Sequence, residues 1–536
     1  MTARAVMVLG TSSGAGKSFV ATALCRWYAR RGLRVAPFKA QNMSNNARVV
    51  DGGEIGSAQY FQALAARAVP DTRMNPLLLK PEGDMHSQVV LRGRVDPALT
   101  AMPWRTRSEH VWPVIAASLD ELRAQADVVV IEGAGSPAEI NLQDSDIVNL
   151  RVARHASARC LLVTDIDRGG AFAHLYGTWA LLPEADRRRL AGFVLNRFRG
   201  DARLLAPAPQ RLRELTGVPT VATLPMWREH GLPQEDGWLD AEWNGRLEPA
   251  ATVADGGSGS GSGVGGSNGS NGGSGGSGGS GVGNGSDVAG GRTRTIALIA
   301  YPRLSNLDEF EPLCRVPGLR VRWVRDARAL AALSADDWIV LPGSKSTVAD
   351  LAWLRARGLD ARIVAHAARG GPVLGVCGGL QMLGEAIVDP LGVEGGASGT
   401  VDPLGGNAPG LGLLPLVTCF GPDKAVRATR IVPGALPAGC VWQALSGVAI
   451  DGYEIHNGQT RPRADLPAPI EVAPGMAWAN RAGNVLGLYL HGLFEDPRAL
   501  AALFGARAPS LEAVFDGLAD FVDRHVEPGV LDALIR

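Results

Sequence analysis

The sequence predicts an α/β protein with two doubly wound domains, each a parallel sheet covered by helices on both faces. Short apolar runs alternate with longer amphipathic segments in two series, which is the pattern of buried parallel strands joined by helical crossovers. A glycine loop lies at the end of the first run, and a cysteine flanked by glycines lies within the second series. Both features are expected at the carboxyl ends of strands, where α/β sheets carry their sites.

Five runs in each series predict strands, because each is short, apolar and bounded by turn residues. In the first series they are residues 5–9, 33–38, 128–131, 160–164 and 192–196. In the second series they are residues 295–300, 319–324, 338–341, 373–376 and 485–490.

The domain boundaries follow from composition. A chain of 536 residues is too long for a single hydrophobic core, and residues 255–291 are almost wholly Gly, Ser and Asn. We expect a domain at 1–250, a flexible linker at 251–292, a second domain at 293–505 and a helical tail at 506–536 that packs as a cap. As a glycine-rich coil, the linker would span roughly 30 to 36 Å, so it tethers the domains without fixing how they dock.

Charge and cysteine usage exclude several classes of function. Lys plus Arg and Asp plus Glu number 53 each, which gives no basic surface for nucleic acid or anionic membrane, so a small polar substrate is expected. The six cysteines form no CxxC pair, which argues against disulfide frameworks and zinc sites and favours a reducing cytoplasm. No apolar run is long enough for a signal segment or a membrane span.

The first glycine loop, residues 10–18, connects a predicted strand to a predicted helix and predicts a nucleotide phosphate site. Backbone N–H groups around Gly14 and Gly16 would hold phosphates, Lys17 would reach the β and γ oxygens, and the Ser18 hydroxyl would bind Mg²⁺. The loop departs from the usual pattern in having Thr11 at the first glycine position. A purely structural loop is the alternative.

Acidic residues near this loop are candidates for the metal. Glu132 ends a buried apolar strand, the usual position of a carboxylate linked to Mg²⁺, although a solvated strand-end Glu is the alternative. Asp51 and Glu54 are weaker metal candidates because acids beside glycines are common in turns. Asn196 and Arg197, at another strand end, would read the nucleotide base or form an ordinary loop.

The cysteine flanked by glycines, Cys377, predicts a nucleophile elbow with sulfur in place of oxygen. Gly375 and Gly379 permit the tight turn, the following helix N-terminus favours the thiolate, and the Gly378 N–H would face a developing oxyanion. A buried structural cysteine is the alternative here, as it is for Cys25, which lies in an apolar helical pattern and is most simply core.

A thiol nucleophile requires a base, and two histidines compete for this role. His491 directly follows a predicted strand, so it would lie at the same sheet edge as Cys377. His456 lies in a short alternating segment and would rather position substrate or pack. We therefore assign the base to His491.

Together, the elbow at Cys377, the Leu-Pro-Gly-Ser string at 341–344 and His491 resemble the triad glutamine amidotransferases. The resemblance implies that the thiolate attacks glutamine, that Gly343 and Gly378 donate oxyanion N–H groups and that Gln381 contacts the bound glutamine. The family usually has Glu two residues after the histidine. Here that position is Leu493, so Glu495, Asp496 or a dyad without a third member are the alternatives.

The shifted glycine of the first loop resembles dethiobiotin synthetase, and the fusion of such a domain to a triad amidotransferase is similar to the cobalamin-pathway amidases. Strings at 37–46, 51–56, 75–81 and 452–456 resemble the cobyric acid synthase family over nearly the full chain. This resemblance implies amidation of four peripheral carboxylates of a corrinoid, adenosylcobyrinic acid a,c-diamide, with glutamine, ATP and Mg²⁺. It also implies an acyl phosphate that is attacked by ammonia.

Two other functions are compatible with parts of the pattern. A cobyrinic acid a,c-diamide synthase would use the same chemistry on two other carboxylates, but the string at 51–56 and the chain length favour the first reading. A P-loop switch protein of the partitioning type, with a non-catalytic appended domain, would leave Cys377 and His491 unexplained.

Overall fold

A computed structural model describes residues 2–83, 86–233, 293–390, 392–393, 407–506 and 510–536. It contains two large, mainly parallel sheets with helices packed on them, which confirms the predicted fold class. The predicted linker at 251–292 lies outside the described residues.

The first large sheet has six parallel strands with helices on both faces. The five predicted strands of this half are confirmed, and the prediction missed a sixth at the sheet edge, where 220–225 mixes polar and apolar residues. In spatial order the strands are Thr220–Pro225, Leu190–Phe198, Arg159–Asp165, Arg4–Gly10, Val128–Glu132 and Val35–Phe38.

The helices of this half are Lys17–Ala29, Ser57–Ala65, Pro97–Ala101, Trp104–Gln125, Leu150–Ala156, Ala171–Leu181, Glu184–Arg187 and Ala208–Thr216, with 3₁₀ turns at Thr72–Met74, Gln143–Ser145 and Ala202–Leu205. We call Lys17–Ala29 the P-loop helix. A hairpin of Ala47–Val50 and Gly53–Gly56, called here the docking hairpin, contacts strands of the second half. A small sheet near it contains Gln41–Met43, Leu77–Gly83, His86–Leu91 and Arg94–Val95.

The second large sheet has five parallel strands, all of them predicted, extended by two antiparallel strands. In spatial order they are Leu319–Val324, Arg294–Ile299, Trp338–Leu341, Val373–Val376, Val485–Leu488, Ala477–Ala479 and Ile470–Ala473. A second sheet in this half contains Ala408–Pro409, Ala386–Val388, Leu416–Ile431 and Ile450–Pro462, and Leu304–Ser305 pairs with Gly343–Ser344.

The helices of this half are Ala327–Ala331, Thr347–Ala356, Leu359–Ala368, Gly378–Leu383 and Pro497–Phe504, with 3₁₀ segments at Leu307–Arg315 and Val441–Leu445. Among the described residues of both halves, no helix is long and apolar enough to cross a membrane.

The C-terminal segment forms helices Leu511–His525 and Val530–Ala533, and it packs on the P-loop helix rather than on the half that it follows. Arg26 is buried there beside Glu512, with 2.8 Å between guanidinium and carboxylate, and Tyr28 Oη donates to the Leu531 carbonyl at 2.8 Å. Phe515 and Leu518 share a core with the P-loop helix. Burying such side chains contributes roughly 1.5 to 3 kcal/mol each, so the tail braces the first half.

Candidate active sites

The first glycine loop connects strand Arg4–Gly10 to the P-loop helix, and the backbone geometry explains why glycine stands at several of its positions. Gly14 and Gly16 have φ of 73° and 99°, a region that side chains strain to adopt. A Cβ at Gly16 would fall 2.0 Å from the amide nitrogen of Asn196, and a Cβ at Gly10 would fall 2.9 Å from Lys17 Nζ. The side chains of Asn196 and Lys17 therefore lie directly against the loop backbone, where a larger residue than glycine would not fit.

Lys17 is held at the mouth of this loop. Its Nζ donates to the carbonyl oxygens of Ser12, at 2.9 Å, and Gly135, at 3.1 Å. Gly135 follows strand Val128–Glu132, so Lys17 joins the loops at the carboxyl ends of two neighbouring strands. An ammonium in this place can move onto the terminal phosphates of a nucleotide in the loop.

Glu132 lies next to the loop, buried at the end of its strand. It accepts hydrogen bonds from Ser18 Oγ at 2.8 Å, Lys39 Nζ at 2.8 Å and Gln62 Nε2 at 2.5 Å. Burial acts to raise the pKa of Glu132, but Lys39 and these hydrogen bonds outweigh it and lower the pKa. The side chain is therefore a carboxylate. A hydroxyl and a carboxylate oxygen that meet beside a phosphate loop fit Mg²⁺, a hard cation that prefers oxygen ligands.

The structure does not bring Asp51, the other predicted metal ligand, to the loop beside Ser18 and Glu132. Asp51 lies at the exposed tip of the docking hairpin, in a surface cavity with Ala29 and Gly32, at the end of the P-loop helix opposite to Ser18. Asp51 has a φ of 43°, in the left-handed region that Asp adopts in turns, and its glycine neighbours indicate the same turn. The turn therefore explains why an acid stands at this position.

Three further residues near the loop, Glu54, Asn196 and Arg197, bond to other protein groups. Glu54 is buried between Lys80 and Lys424, the latter at 2.6 Å, so it serves an ion-pair cluster between the two halves. Asn196 donates to the Ala15 carbonyl at 3.0 Å and braces the loop, while Arg197 donates to Asp165 at 2.8 Å. Across the described part of the chain, no three His, Cys, Asp or Glu side chains are grouped to hold a metal on their own.

Cys377 sits between strand Val373–Val376 and helix Gly378–Leu383 with a strained backbone, φ 53° and ψ −107°. A Cβ at Gly375 would lie 2.6 Å from the Gly379 carbonyl carbon, and a Cβ at Gly379 would lie 1.9 Å from the Leu341 carbonyl oxygen. Glycine is required on both sides for this turn to close. The strain presents the thiol at the sheet edge, as in a nucleophile elbow.

His491 is buried just beyond strand Val485–Leu488, beside the Cys377 sulfur. Its Nδ1 is 2.9 Å from Glu309 Oε1, and the other oxygen of Glu309 accepts from the Gly492 N–H at 2.8 Å. Burial lowers the pKa of His491, but Glu309 and the sulfur outweigh it and raise the pKa to about 10. The ring is therefore protonated near neutral pH and places a positive charge beside the sulfur.

Glu309 replaces the third members that the sequence suggested. Glu495 bonds Arg48 at 2.5 Å, and Asp496 caps helix Pro497–Phe504 through the Arg498 N–H. Neither is the hydrogen-bond partner of His491. Glu309 lies 182 residues upstream, in a 3₁₀ segment without a motif, so no spacing rule could point to it.

The remaining predicted residues of this site also converge on it. A Cβ at Gly378 would lie 2.8 Å from the Ser344 N, and a Cβ at Gly343 would lie 3.1 Å from His491 Cε1, so both glycines border the reacting groups. Gln381 is buried; its amide oxygen accepts from Thr347 at 3.0 Å and its nitrogen donates to Tyr489 at 3.4 Å.

His456, the competing histidine, belongs to a separate pair of contacts. Its ring stacks on Tyr489 at 3.8 Å between centroids, and its Nε2 lies 3.1 Å from Glu454. The preference for His491 as the partner of Cys377 agrees with this arrangement.

Both halves match known protein families. The model described as "CobQ/CobB/MinD/ParA nucleotide binding domain" matches residues 6–230, and that described as "CobB/CobQ-like glutamine amidotransferase domain" matches 295–499. Cobyric acid synthase of Variovorax paradoxus (strain S110) is 65% identical over 537 residues, which is 100% of both chains. This chain belongs to the cobyric acid synthase family.

Other members are similarly related. The enzyme of Albidiferax ferrireducens (strain ATCC BAA-621 / DSM 15236 / T118) is 61% identical over 548 residues and that of Polaromonas naphthalenivorans (strain CJ2) is 60% identical over 540, each covering 100% of both chains. The resemblance found in the motifs is confirmed. The chain is thus a glutamine-dependent, amide-forming ligase of cobalamin biosynthesis that uses ATP, which rejects the switch-protein alternative.

Proposed function

We propose that this enzyme amidates the b, d, e and g carboxylates of adenosylcobyrinic acid a,c-diamide, through acyl phosphates that react with ammonia released at Cys377. The observation that carries the proposal is the coexistence, in one chain, of a Cys377–His491–Glu309 array and a glycine loop with Lys17. A carboxylate does not accept ammonia directly because oxide is a poor leaving group, so both sites are needed.

In the amidotransferase site, the Cys377 thiolate attacks the glutamine carboxamide, and His491 gives its proton to the departing ammonia. Glu309 orients His491 and stabilises its charge. We assign the oxyanion N–H groups to Gly343 and Gly378, which border the sulfur and the ring. Gln381 lines the glutamine pocket and would contact the ligand by exchanging one of its present bonds.

In the ATP site, the loop around Gly14 and Gly16 binds the phosphates, and Lys17 neutralises charge on the γ-phosphoryl group as it moves to the carboxylate. Ser18 and Glu132 would hold Mg²⁺, which would offset phosphate charge. We propose that residues 1–250 and the tail 506–536 form this ATP domain, because the tail packs on the P-loop helix. Residues 293–505 form the amidotransferase domain, and the scattered cysteines support the cytoplasm as its compartment.

An apolar contact between the domains supports transfer of ammonia along a shared path. The Ile455 carbonyl lies 3.5 Å from the Cys377 sulfur, and the Ile455 side chain packs on Ala47, Leu78 and Val90 of the ATP domain. The strand that borders the sulfur thus presents an apolar side chain to the ATP domain, and apolar surroundings disfavour protonation of ammonia before it reaches the acyl phosphate.

The substrate assignment is tested by counting amides. With adenosylcobyrinic acid a,c-diamide, ATP, Mg²⁺ and glutamine carrying ¹⁵N in its amide, we expect four labelled amides per corrinoid by mass spectrometry. Cobyrinic acid without amides is the matched control substrate. Two amides added to that control, with none added to the diamide, would identify an a,c-diamide synthase instead.

Replacing Glu309 with glutamine should lower the pKa of His491, because the negative charge that stabilises the imidazolium is lost. The alkaline limb of the pH profile of kcat/KM for glutamine hydrolysis should therefore move to lower pH, with kcat reduced by about tenfold or more. Asp496→Asn is the control, since asparagine also caps helices and Asp496 does not contact His491. An unchanged alkaline limb in Glu309→Gln would contradict the role of Glu309.

A further inference from the structure

A segment of the ATP domain holds the turn that carries Glu309. Three consecutive residues, 46–48, contact three consecutive residues of the amidotransferase domain, 306–308. The Leu307 N–H donates to Asn46 Oδ1 and the Ala47 N–H donates to Asn306 Oδ1, both at 3.0 Å. The next residue after this contact is Glu309, the partner of His491.

Arg48 supplies the cation of this contact; it is buried, as are Asp308 and Tyr453, whereas the side chain of Glu495 is 28% exposed. Its guanidinium bonds Asp308 Oδ2 at 2.6 Å, Glu495 Oε1 at 2.5 Å and the hydroxyl of Tyr453. Arg48 and Asp308 side chains are 2% and 1% exposed, so little water is available to replace the ion pair. Arg48 belongs to the docking hairpin, and all three partners belong to the amidotransferase domain.

Each partner of Arg48 is linked to His491 or Glu309, either by direct contact, as the next residue in the chain, or through Gly492. Tyr453 and His491 exchange backbone hydrogen bonds, at 2.9 and 3.2 Å, and their rings stack at 5.2 Å. Asp308 directly precedes Glu309. The Glu495 N–H donates to the carbonyl of Gly492, the residue whose own N–H binds Glu309. A guanidinium can bridge such a set because its donors form a rigid planar fork.

In this contact one cation, Arg48, compensates several acids. Asp308, Glu309 and Glu495 lie close together, and burial raises the pKa of Glu495 to about 7 even with Arg48 beside it. Burial also raises the pKa of Asp308. Without Arg48 these acids must either repel one another or take up protons, and the turn at 306–309 loses the cation that compensates it.

We infer that Arg48 is a positioning residue for glutamine hydrolysis: the ATP domain, through Arg48, holds the turn at 306–309 and Tyr453 so that Glu309 and His491 meet. Glutamine hydrolysis then depends on docking of the domains, which limits release of ammonia to the assembled enzyme. Arg48 contacts neither Cys377 nor the nucleotide loop in the described contacts, so it acts through its partners.

The test uses full-length Arg48→Met and measures three rates: glutamine hydrolysis, glutamine-dependent synthesis and synthesis from added ammonia. We expect kcat for hydrolysis to fall by about tenfold or more, with KM for glutamine and ammonia-dependent synthesis within about twofold of the parent. Arg48→Lys keeps a positive charge but loses the planar guanidinium, so its kcat for hydrolysis should lie between those of the parent and of Arg48→Met. It replaces Arg48→Met in the test if the methionine variant does not fold.

A second change separates charge positioning from packing. In Arg48→Met, adding Glu495→Gln removes one of the repelling acids, so hydrolysis should recover by about threefold or more relative to the single variant, with Glu495→Gln alone closing the cycle. Lys424→Met is the matched control: it breaks another cross-domain ion pair, with Glu54, and should leave hydrolysis within about twofold because Lys424 has no described contact with the 306–309 turn.

Three results would overturn the inference. They are unchanged hydrolysis in Arg48→Met, an equal loss of ammonia-dependent synthesis, or no recovery in the double variant. The inference rests on the proposed roles of Cys377 and His491, so Cys377→Ser is measured beside it. Glutamine-dependent synthesis by that variant would refute the proposed function, whereas an unaltered Arg48→Met enzyme would refute the positioning role alone.

Discussion

Cys377→Ser is expected to lower glutamine-dependent synthesis by about a thousandfold or more, while synthesis from added ammonia stays within about twofold of the parent. Serine keeps the shape of the elbow, with φ of 53° at this position, but a serine hydroxyl is a weaker acid and a weaker nucleophile than a thiol. The ATP site does not contain the sulfur, so ammonia in the medium bypasses the loss.

The measurement is the ratio of the two rates at saturating corrinoid and ATP. Cys419→Ser is the control, because Cys419 is an exposed cysteine of strand Leu416–Ile431 and should keep both rates. A parallel loss of both rates in Cys377→Ser would show that the thiol is needed for folding or for the ATP site, and the division of labour between the domains would be wrong.

Lys17→Ala should abolish product formation with either nitrogen donor, by about a thousandfold or more, because transfer of the γ-phosphoryl group loses its neutralising ammonium. Glutamine hydrolysis should persist, since Lys17 contacts Ser12 and Gly135 within the ATP domain and not the thiol site. The contrast with Cys377→Ser is the point of the experiment: one variant loses one nitrogen source, and the other loses both.

Arg30→Ala is the control for this variant. Arg30 lies just after the same helix, and its ion pair with Asp520 is exposed on both sides, at 41% and 54%. Such pairs contribute about 1 kcal/mol or less, so both activities should remain. Ammonia-dependent synthesis by Lys17→Ala would show that the glycine loop does not bind the reacting nucleotide.

The amino-acid sequence is sufficient to predict a site when the residues of that site are neighbours in the chain. The glycine loop at 10–18 and the elbow at Cys377 are each made by one strand, one turn and one helix. The close approaches of Gly10 to Lys17 and of Gly375 to Gly379 lie within such a unit, whereas those of Gly16 and Gly379 are to Asn196 and Leu341, outside it. Five strands of each large sheet are predictable for the same reason, because burial on both faces of a parallel sheet requires continuous apolar runs; the edge strand Thr220–Pro225, which mixes polar and apolar residues, is not. His491 was found because a strand end is visible in the sequence.

Residues that act through distant partners could not be found in this way. Glu309 binds His491 although 182 residues separate them in the sequence, and 447 residues separate Arg48 from Glu495. At Asp51 the local pattern is ambiguous, since an acid beside glycines looks the same in a turn and in a metal site. The tail at 506–536 has helical periodicity, but periodicity does not say which core its apolar face joins, and here it joins the P-loop helix.

The sequence by itself determined the fold class, the two reactive loops and the family, because these are encoded in local periodicity, in glycine spacing and in identity to relatives. The tertiary structure decided the third member of the Cys377–His491 array, the placement of the tail and the contact of Arg48 with the 306–309 turn. The placement of the tail depends on which core its apolar face joins. The other two depend on which charged groups meet after the sheets assemble, because the strength of a charge pair in a low-dielectric interior depends on distance in space and not on position in the chain.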